Sequence, residues 1–199
     1  MDTFDLYKDI QCRTNGEIYL GVVGPVRSGK STFIKRFMDV LVLPKMTDEH
    51  AKERTVDELP QSASGKSIMT TEPKFVRVLV RLIDCVGYMV EGAAGHMENG
   101  AERLVKTPWN EKEIPFTKAA EIGTKKVIHD HSTIGIVVTT DGSIGELPRN
   151  SYRAAEKKTI QELKSIGKPF VVLVNTRKPY SAEAKNVAEE IQKEYHVTA

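Results

Sequence analysis

The stretch Gly24-Pro25-Val26-Arg27-Ser28-Gly29-Lys30-Ser31-Thr32 carries the most specific chemistry in the sequence. Two glycines with four residues between them, the second followed by Lys-Ser, have the spacing of a phosphate-binding loop. Gly24 and Gly29 let the backbone wrap close to phosphate oxygens. The loop amides and the N-terminus of the following helix then face the negative charge. Lys30 is expected to reach the β- and γ-phosphates of a nucleoside triphosphate, and Ser31 to bind Mg²⁺ through its hydroxyl. From average residue usage, a chance match in a chain of this length is on the order of one in a hundred.

Other residues suit the same chemistry. Asp84 closes the apolar run in RLIDCVG, where a carboxylate holds Mg²⁺ through water, and the Gly87 N–H is expected to meet the γ-phosphate. Thr70 and Thr71 precede that run in IMTTEPKF. A threonine there is expected to close over the γ-phosphate and Mg²⁺ and so sense the triphosphate; Thr71 is a further metal-ligand candidate, though two adjacent threonines leave the choice between them open. Asn175 follows another apolar run in VVLVNTRKPY and is a candidate to brace the phosphate loop.

The residues after Asn175 bear on the base. GTPases of this layout carry Asn-Lys-x-Asp there, the Asp accepting from guanine N1–H and the 2-amino group. This chain has Thr176, Arg177 and Lys178. A lysine cannot accept those two donors, and adenine has no 2-amino group, so ATP is the expected nucleotide. Tyr88 stands directly after Gly87, where Ras-like enzymes have the Gln that orients the attacking water. Hydrolysis should therefore be slow, or depend on the threonines or on a neighbouring subunit. Arg27 and Arg149 are candidate sources of positive charge. The glycine-rich stretch EGAAGHMENG after Gly87 reads either as a nucleotide-reporting switch or as a plain flexible loop. His129-Asp130-His131 sits at a helix end, where histidine suits the dipole better than it suggests a metal site.

These residues need a scaffold, and the chain alternates apolar runs with helical patterns. Strands are expected over 18–23, 76–83, 133–139 and 170–174. A helix is expected from Lys30 to about Leu43, with Phe33, Ile34, Phe37, Val40 and Leu41 on one face and a stop before Pro44. Further helices are expected over 116–130, over 151–166 (capped by Ser151 and stopped by Gly167) and over 182–195. Such alternation gives an α/β fold of the P-loop NTPase type: a mostly parallel sheet with helices on both faces and ligands beyond the carboxyl ends of the strands.

The 199 residues fit one domain. With 40% hydrophobic and 28% charged residues, the composition is that of a soluble globular chain. The net charge of +2, with lysines interspersed among glutamates, indicates a solvated surface and argues against a nucleic-acid partner. Cys12 and Cys85 have neither disulfide-framework nor zinc spacing, which fits a reducing cytoplasm. The N-terminus has no apolar signal core, and runs such as FVVLV are too short to span a membrane.

The segments YLGVVGPVRSGKSTFIKRFM, IMTTEPKFV, RLIDCVGYMVEGAAG, TPWNEKEIPFTKAAEIGTKKVI, HSTIGIVVTTDGSIGELPR and GKPFVVLVN together resemble the N-terminal ATPase domain of the stage IV sporulation protein A family, across nearly the whole chain. The resemblance implies a nucleotide domain related to translation-factor GTPases that uses ATP. It implies that hydrolysis drives self-association into a polymer, a basement scaffold for the spore coat on the forespore surface in the mother-cell cytoplasm. Implied partners are other coat morphogenetic proteins, including a small membrane-bound anchor. It assigns phosphate binding to Lys30, sensing to Thr70 and Thr71, and the Walker B role to Asp84. Two departures stand out. Only 12 residues separate Thr71 from Asp84, too few for the usual two-stranded hairpin, where family members are longer. The family also continues into further domains, so this chain is expected to be the N-terminal part of a longer protein, with membrane contact through regions absent here. The competing readings are a regulatory GTPase of the translation-factor class and a scaffold that binds nucleotide without turning it over.

Overall fold

The computed structural model describes residues 18–57, 59, 80–98 and 100–199. Four strands form one sheet: β1 (Ile18–Val23), β2 (Val80–Asp84), β7 (Ile134–Thr140) and β8 (Phe170–Asn175), in the order β2-β1-β7-β8 with every pair parallel. Register aligns their carboxyl ends. Val22 lies beside Asp84, Val23 beside Val137, and Thr140 beside Asn175. Gly24, Asp84 and Asn175 each follow or end one of these strands.

Alternation along the strands divides the core in two, because successive side chains point to opposite faces. Val22, Leu82, Ile136 and Val138 face one side with Ile34 and Met38. Val23, Ile83, Val137 and Val172 face the other with Val127, Ile128, Ile160, Leu163 and Ile191. The first layer is α1 (Lys30–Phe37) and its continuation. The second holds α3 (Phe116–Lys126), α4 (Arg149–Ser165) and α5 (Ala182–Tyr195); α2 (Glu49–Asp57) lies between α1 and β2 in the chain. Ser181 caps α5, its hydroxyl accepting from the Ala184 amide at 3.2 Å. Among the described residues, no helix is long and apolar enough to cross a membrane.

Several expected boundaries differ. The first helix does not run regularly to Leu43. After Phe37 it widens into an i→i+5 turn over Met38–Val42, closed by the Leu43 N–H on the Met38 carbonyl, and then tightens into a 3-10 turn at Leu43–Lys45 that contains Pro44. The wider turn shifts the helical phase. Met38 and Val42 turn inward, while Val40 and Leu41, expected on the core face, are 58% and 48% exposed. The helix expected over 116–130 likewise ends in an i→i+5 turn, Val127–His131. Ser151 does not cap the next helix. That helix begins at Arg149 behind an extended Pro148, whose side chain has no group to cap with, and Arg149 is drawn into a buried pair with Glu156. Gly167 does follow its end, at φ 64°. Residues 76–79 of the second expected strand lie outside the described residues.

Two hairpins were not expected. One pairs β3 (Met97–Glu98) with β4 (Ala101–Glu102); the other pairs β5 (Leu104–Thr107) with β6 (Asn110–Pro115). The second carries Trp109 at its tip, close enough to α3 that a Cβ on Gly123 would meet the indole at 3.5 Å.

Candidate nucleotide site

β1 delivers the chain to the phosphate loop. Gly24 has φ 138° and Gly29 φ 91°, conformations that strain any side chain, and each glycine is closely approached. A Cβ on Gly24 would lie 2.3 Å from the Val138 carbonyl oxygen, and one on Gly29 would lie 2.2 Å from Asn175 Nδ2. Gly29 is also the N-cap of α1 and offers no capping side chain, so the first amides of the helix remain available to an anion. Ser28 is fully buried within the loop, and its hydroxyl has no partner among the described residues. A backbone cradle reserved for glycine, uncapped helix amides and an orphaned buried hydroxyl fit a polyphosphate.

The charged groups converge on the same place. Lys30 is buried and donates from Nζ to the Pro25 carbonyl at 2.7 Å, inside the loop. Burial lowers its pKa from the ordinary lysine value. The Ser31 hydroxyl donates to Asp84 Oδ2 at 2.6 Å, and the Cys85 amide to Asp84 Oδ1 at 2.9 Å. Burial raises the Asp84 pKa, while the Ser31 hydroxyl, the Lys30 ammonium and the Cys85 amide oppose that rise. Two hard oxygen donors side by side at the end of the loop fit Mg²⁺, which favours carboxylate and hydroxyl oxygens and keeps several waters. Ser31 and Asp84 would hold the ion.

The segment after β2 is stitched to the loop. Pro25 and Tyr88 form a parallel bridge, with Val26 N–H on the Tyr88 carbonyl at 2.8 Å and Tyr88 N–H on the Gly24 carbonyl at 3.2 Å. Gly87 has φ 97°, and a Cβ there would lie 2.2 Å from the Gly24 carbonyl oxygen and 2.6 Å from Lys30 Nζ. Its amide points at the Thr124 hydroxyl at 3.1 Å. Tyr88 is 3% exposed, beneath the Lys158 ammonium, and burial pushes its phenol pKa up. It is a packing residue, not a group facing the phosphates.

At the other end, Asn175 donates from Nδ2 to the Ser28 carbonyl at 3.2 Å, joining β8 to the loop. Sequence reasoning missed its neighbours. Asp141, directly after β7, accepts from the Ser143 hydroxyl at 2.6 Å and the Thr176 hydroxyl at 2.5 Å. Burial works against its ionisation, but these hydroxyls outweigh it and hold the carboxyl below its ordinary value. The available signal was position: Asp141-Gly142 follows a buried strand just as Gly24, Asp84 and Asn175 follow or end theirs.

Arg27 is exposed, at φ 61°, and donates to the Ala94 carbonyl at 3.1 Å. Arg149 faces inward, in a two-pronged pair with buried Glu156 at 2.6 and 2.8 Å. Val26 is buried and Thr32 exposed on the first turn of α1. His129 pairs with Glu162 at 2.8 Å. Thr70 and Thr71 lie outside the described residues.

With this geometry in view, residues 1–199 match the family model described as "Stage IV sporulation protein A, ATPase domain". The chain belongs to that family. It is 55% identical to the stage IV sporulation protein A of Clostridioides difficile (strain 630), across 97% of this chain and 42% of that protein. It is 51% identical to the Bacillus subtilis (strain 168) protein and 50% identical to the Bacillus anthracis one, each across 99% of this chain and 43% of the relative. The chain thus spans less than half the length of these relatives. The two Bacillus alignments run over 210 positions, more than the 199 residues available, so those relatives carry residues within the matched span that this chain lacks. Membership makes the chain an ATPase domain of a sporulation protein, in agreement with a parallel sheet that gathers a phosphate loop, a buried lysine and a Ser–Asp pair.

Proposed function

We propose that this domain hydrolyses ATP with Mg²⁺, and that in the longer protein the nucleotide state controls self-assembly of a coat basement scaffold at the forespore surface. Other coat morphogenetic proteins and a small membrane-bound anchor would join through regions beyond this domain. The observation that carries the ATP reading is the convergence of Lys30, the Ser31–Asp84 pair and Gly87 on one loop at the carboxyl ends of β1 and β2. In it, Gly24 to Thr32 wrap the phosphates, Lys30 neutralises the β- and γ-phosphate oxygens, and Asn175 holds the loop to β8. Thr70 and Thr71 sense the γ-phosphate, Thr71 adding a metal ligand. Mg²⁺, when bound at Ser31 and Asp84, supplies charge neutralisation between the phosphates. ATP is preferred to GTP because Lys178 offers the base no acceptor.

A second reading, nucleotide binding without turnover, is favoured by the burial of Tyr88, which leaves the position beside the γ-phosphate without a water-orienting side chain. Phosphate release from ATP and GTP, each with and without Mg²⁺, separates the possibilities. Mg²⁺-dependent release from ATP, little from GTP, and a loss of at least a hundredfold in Lys30→Ala, the scale of removing one transition-state donor, are expected. Preference for GTP would restore the regulatory GTPase. Tight binding with no turnover of either would favour the scaffold. For the assembly step, sedimentation of the longer protein with and without ATP is the measurement; an ATP-independent result would sink the coupling.

A further inference from the structure

The amide expected to meet the γ-phosphate is already engaged. Gly87 donates its N–H to Thr124 Oγ1 at 3.1 Å in a buried setting. Thr124, fully buried on α3, sends its own proton to the Ala120 carbonyl at 2.7 Å, so its oxygen is free only to accept. The neighbouring Cys85 thiol faces the Val22 carbonyl at 3.5 Å. Gly87 nonetheless lies against the site, the side of its α-carbon where a Cβ would stand facing Lys30 Nζ and the Gly24 carbonyl. Thr124 is the strong acceptor of this N–H, and the Cys85 sulfur a weak second one.

We propose that Thr124 is a positioning residue that competes with the γ-phosphate for the Gly87 amide, so that ATP, but not ADP, draws the Gly87 segment off α3. The proposal rests on the ATP reading of the site. Its reach follows from what α3 carries. Gly123 packs under Trp109 of the β5–β6 hairpin, and Glu121 pairs with Lys158 of α4 at 3.0 Å. The far end of the Gly87 segment is tied to the loop by Arg27 on Ala94. Exchange at Gly87 therefore has a direct mechanical route to the α3 surface and its hairpin.

The test compares ADP with a non-hydrolysable ATP analogue, both with Mg²⁺, on the wild-type chain, Thr124→Val and Thr124→Ser. Valine keeps the branched shape and cannot accept. Its free state leaves the Gly87 donor with only the weak Cys85 sulfur to face, a deficit that a γ-phosphate relieves and a diphosphate does not. Preference for the ATP analogue over ADP is expected to rise roughly tenfold in Thr124→Val and to return to the wild-type ratio in Thr124→Ser. An unchanged or reduced ratio in Thr124→Val overturns the proposal. The Gly87 amide resonance of the wild-type chain decides the matter even if the valine variant does not fold. It is expected to move with the analogue and not with ADP, and equal movement with both overturns the proposal. If wild-type chain hydrolyses ATP in a Lys30-dependent way while the ratio stays fixed, the Thr124 role falls and the ATPase reading stands. If it binds neither nucleotide, both fall.

Discussion

At the residue scale the site depends on groups that burial has made sensitive to charge. Asp84 is the clearest case. Its pKa is raised by burial, and an acid raised in the folded state carries its desolvation cost once ionised, above that pKa. Mg²⁺ needs the ionised form. The Mg²⁺-dependent part of ATP affinity is therefore expected to fall away as pH drops through a range above that of an ordinary aspartate. Isothermal titration between pH 4 and pH 8, taken as about four units spanning ordinary carboxylate and histidine values, checks this. Asp84→Asn should lack the Mg²⁺-dependent part at every pH. Gly87 gives a second prediction. Its φ of 97° and the 2.2 Å approach of an added methyl to the Gly24 carbonyl leave alanine no place without moving the loop. Gly87→Ala should weaken ATP binding at least tenfold, with circular dichroism showing the fold retained; near-normal affinity would contradict the packing described.

At the scale of elements, α4 is anchored by a polar contact rather than by a cap. Arg149 at its first turn holds Glu156 through two bonds, and the Thr139 hydroxyl from β7 reaches the same carboxylate at 2.5 Å. Glu156 is 1% exposed. Removing Arg149 leaves that carboxylate buried without its cation, and breaking a buried pair in this way costs about 3–5 kcal/mol. Arg149→Ala is therefore expected to lower the denaturant midpoint by a corresponding amount and not to act mainly on turnover. A variant as stable as wild type with impaired hydrolysis would instead give Arg149 a part in the chemistry.

At the scale of the whole molecule, the nucleotide is expected to hold the sheet ends together. Gly24 and Lys30 follow β1, Asp84 ends β2, and Asn175 ties β8 to the Ser28 carbonyl. A ligand bound only by the folded chain stabilises it by about 2.7 kcal/mol at a hundredfold excess over its Kd. Mg²⁺-ATP should therefore raise the melting temperature of the wild-type chain and leave that of Lys30→Ala nearly unchanged. Equal shifts in both would place the nucleotide elsewhere.

The sequence by itself determined near which residues the strands of the sheet end, though not their order in it. Gly24, Asp84 and Asn175 could be placed at strand ends because each follows or ends an apolar run, and Gly29, Lys30 and Ser31 at the turn into the next helix because glycine spacing and a Lys-Ser pair mark that turn. The span of α5 was legible too, where the Ser181 cap and regular periodicity agree. What only the tertiary structure decided are contacts between residues distant in the chain. The phase shift at Met38 exposes Val40 and Leu41, since one wider turn rotates all that follows it. Arg149 faces Glu156 instead of the site, since the buried carboxylate competes for it. Tyr88 is packed under Lys158, and the Gly87 amide rests on Thr124, 37 residues away. Local pattern records which groups a segment offers. Which of them meet is settled by register and packing across the sheet, and no single segment carries that information.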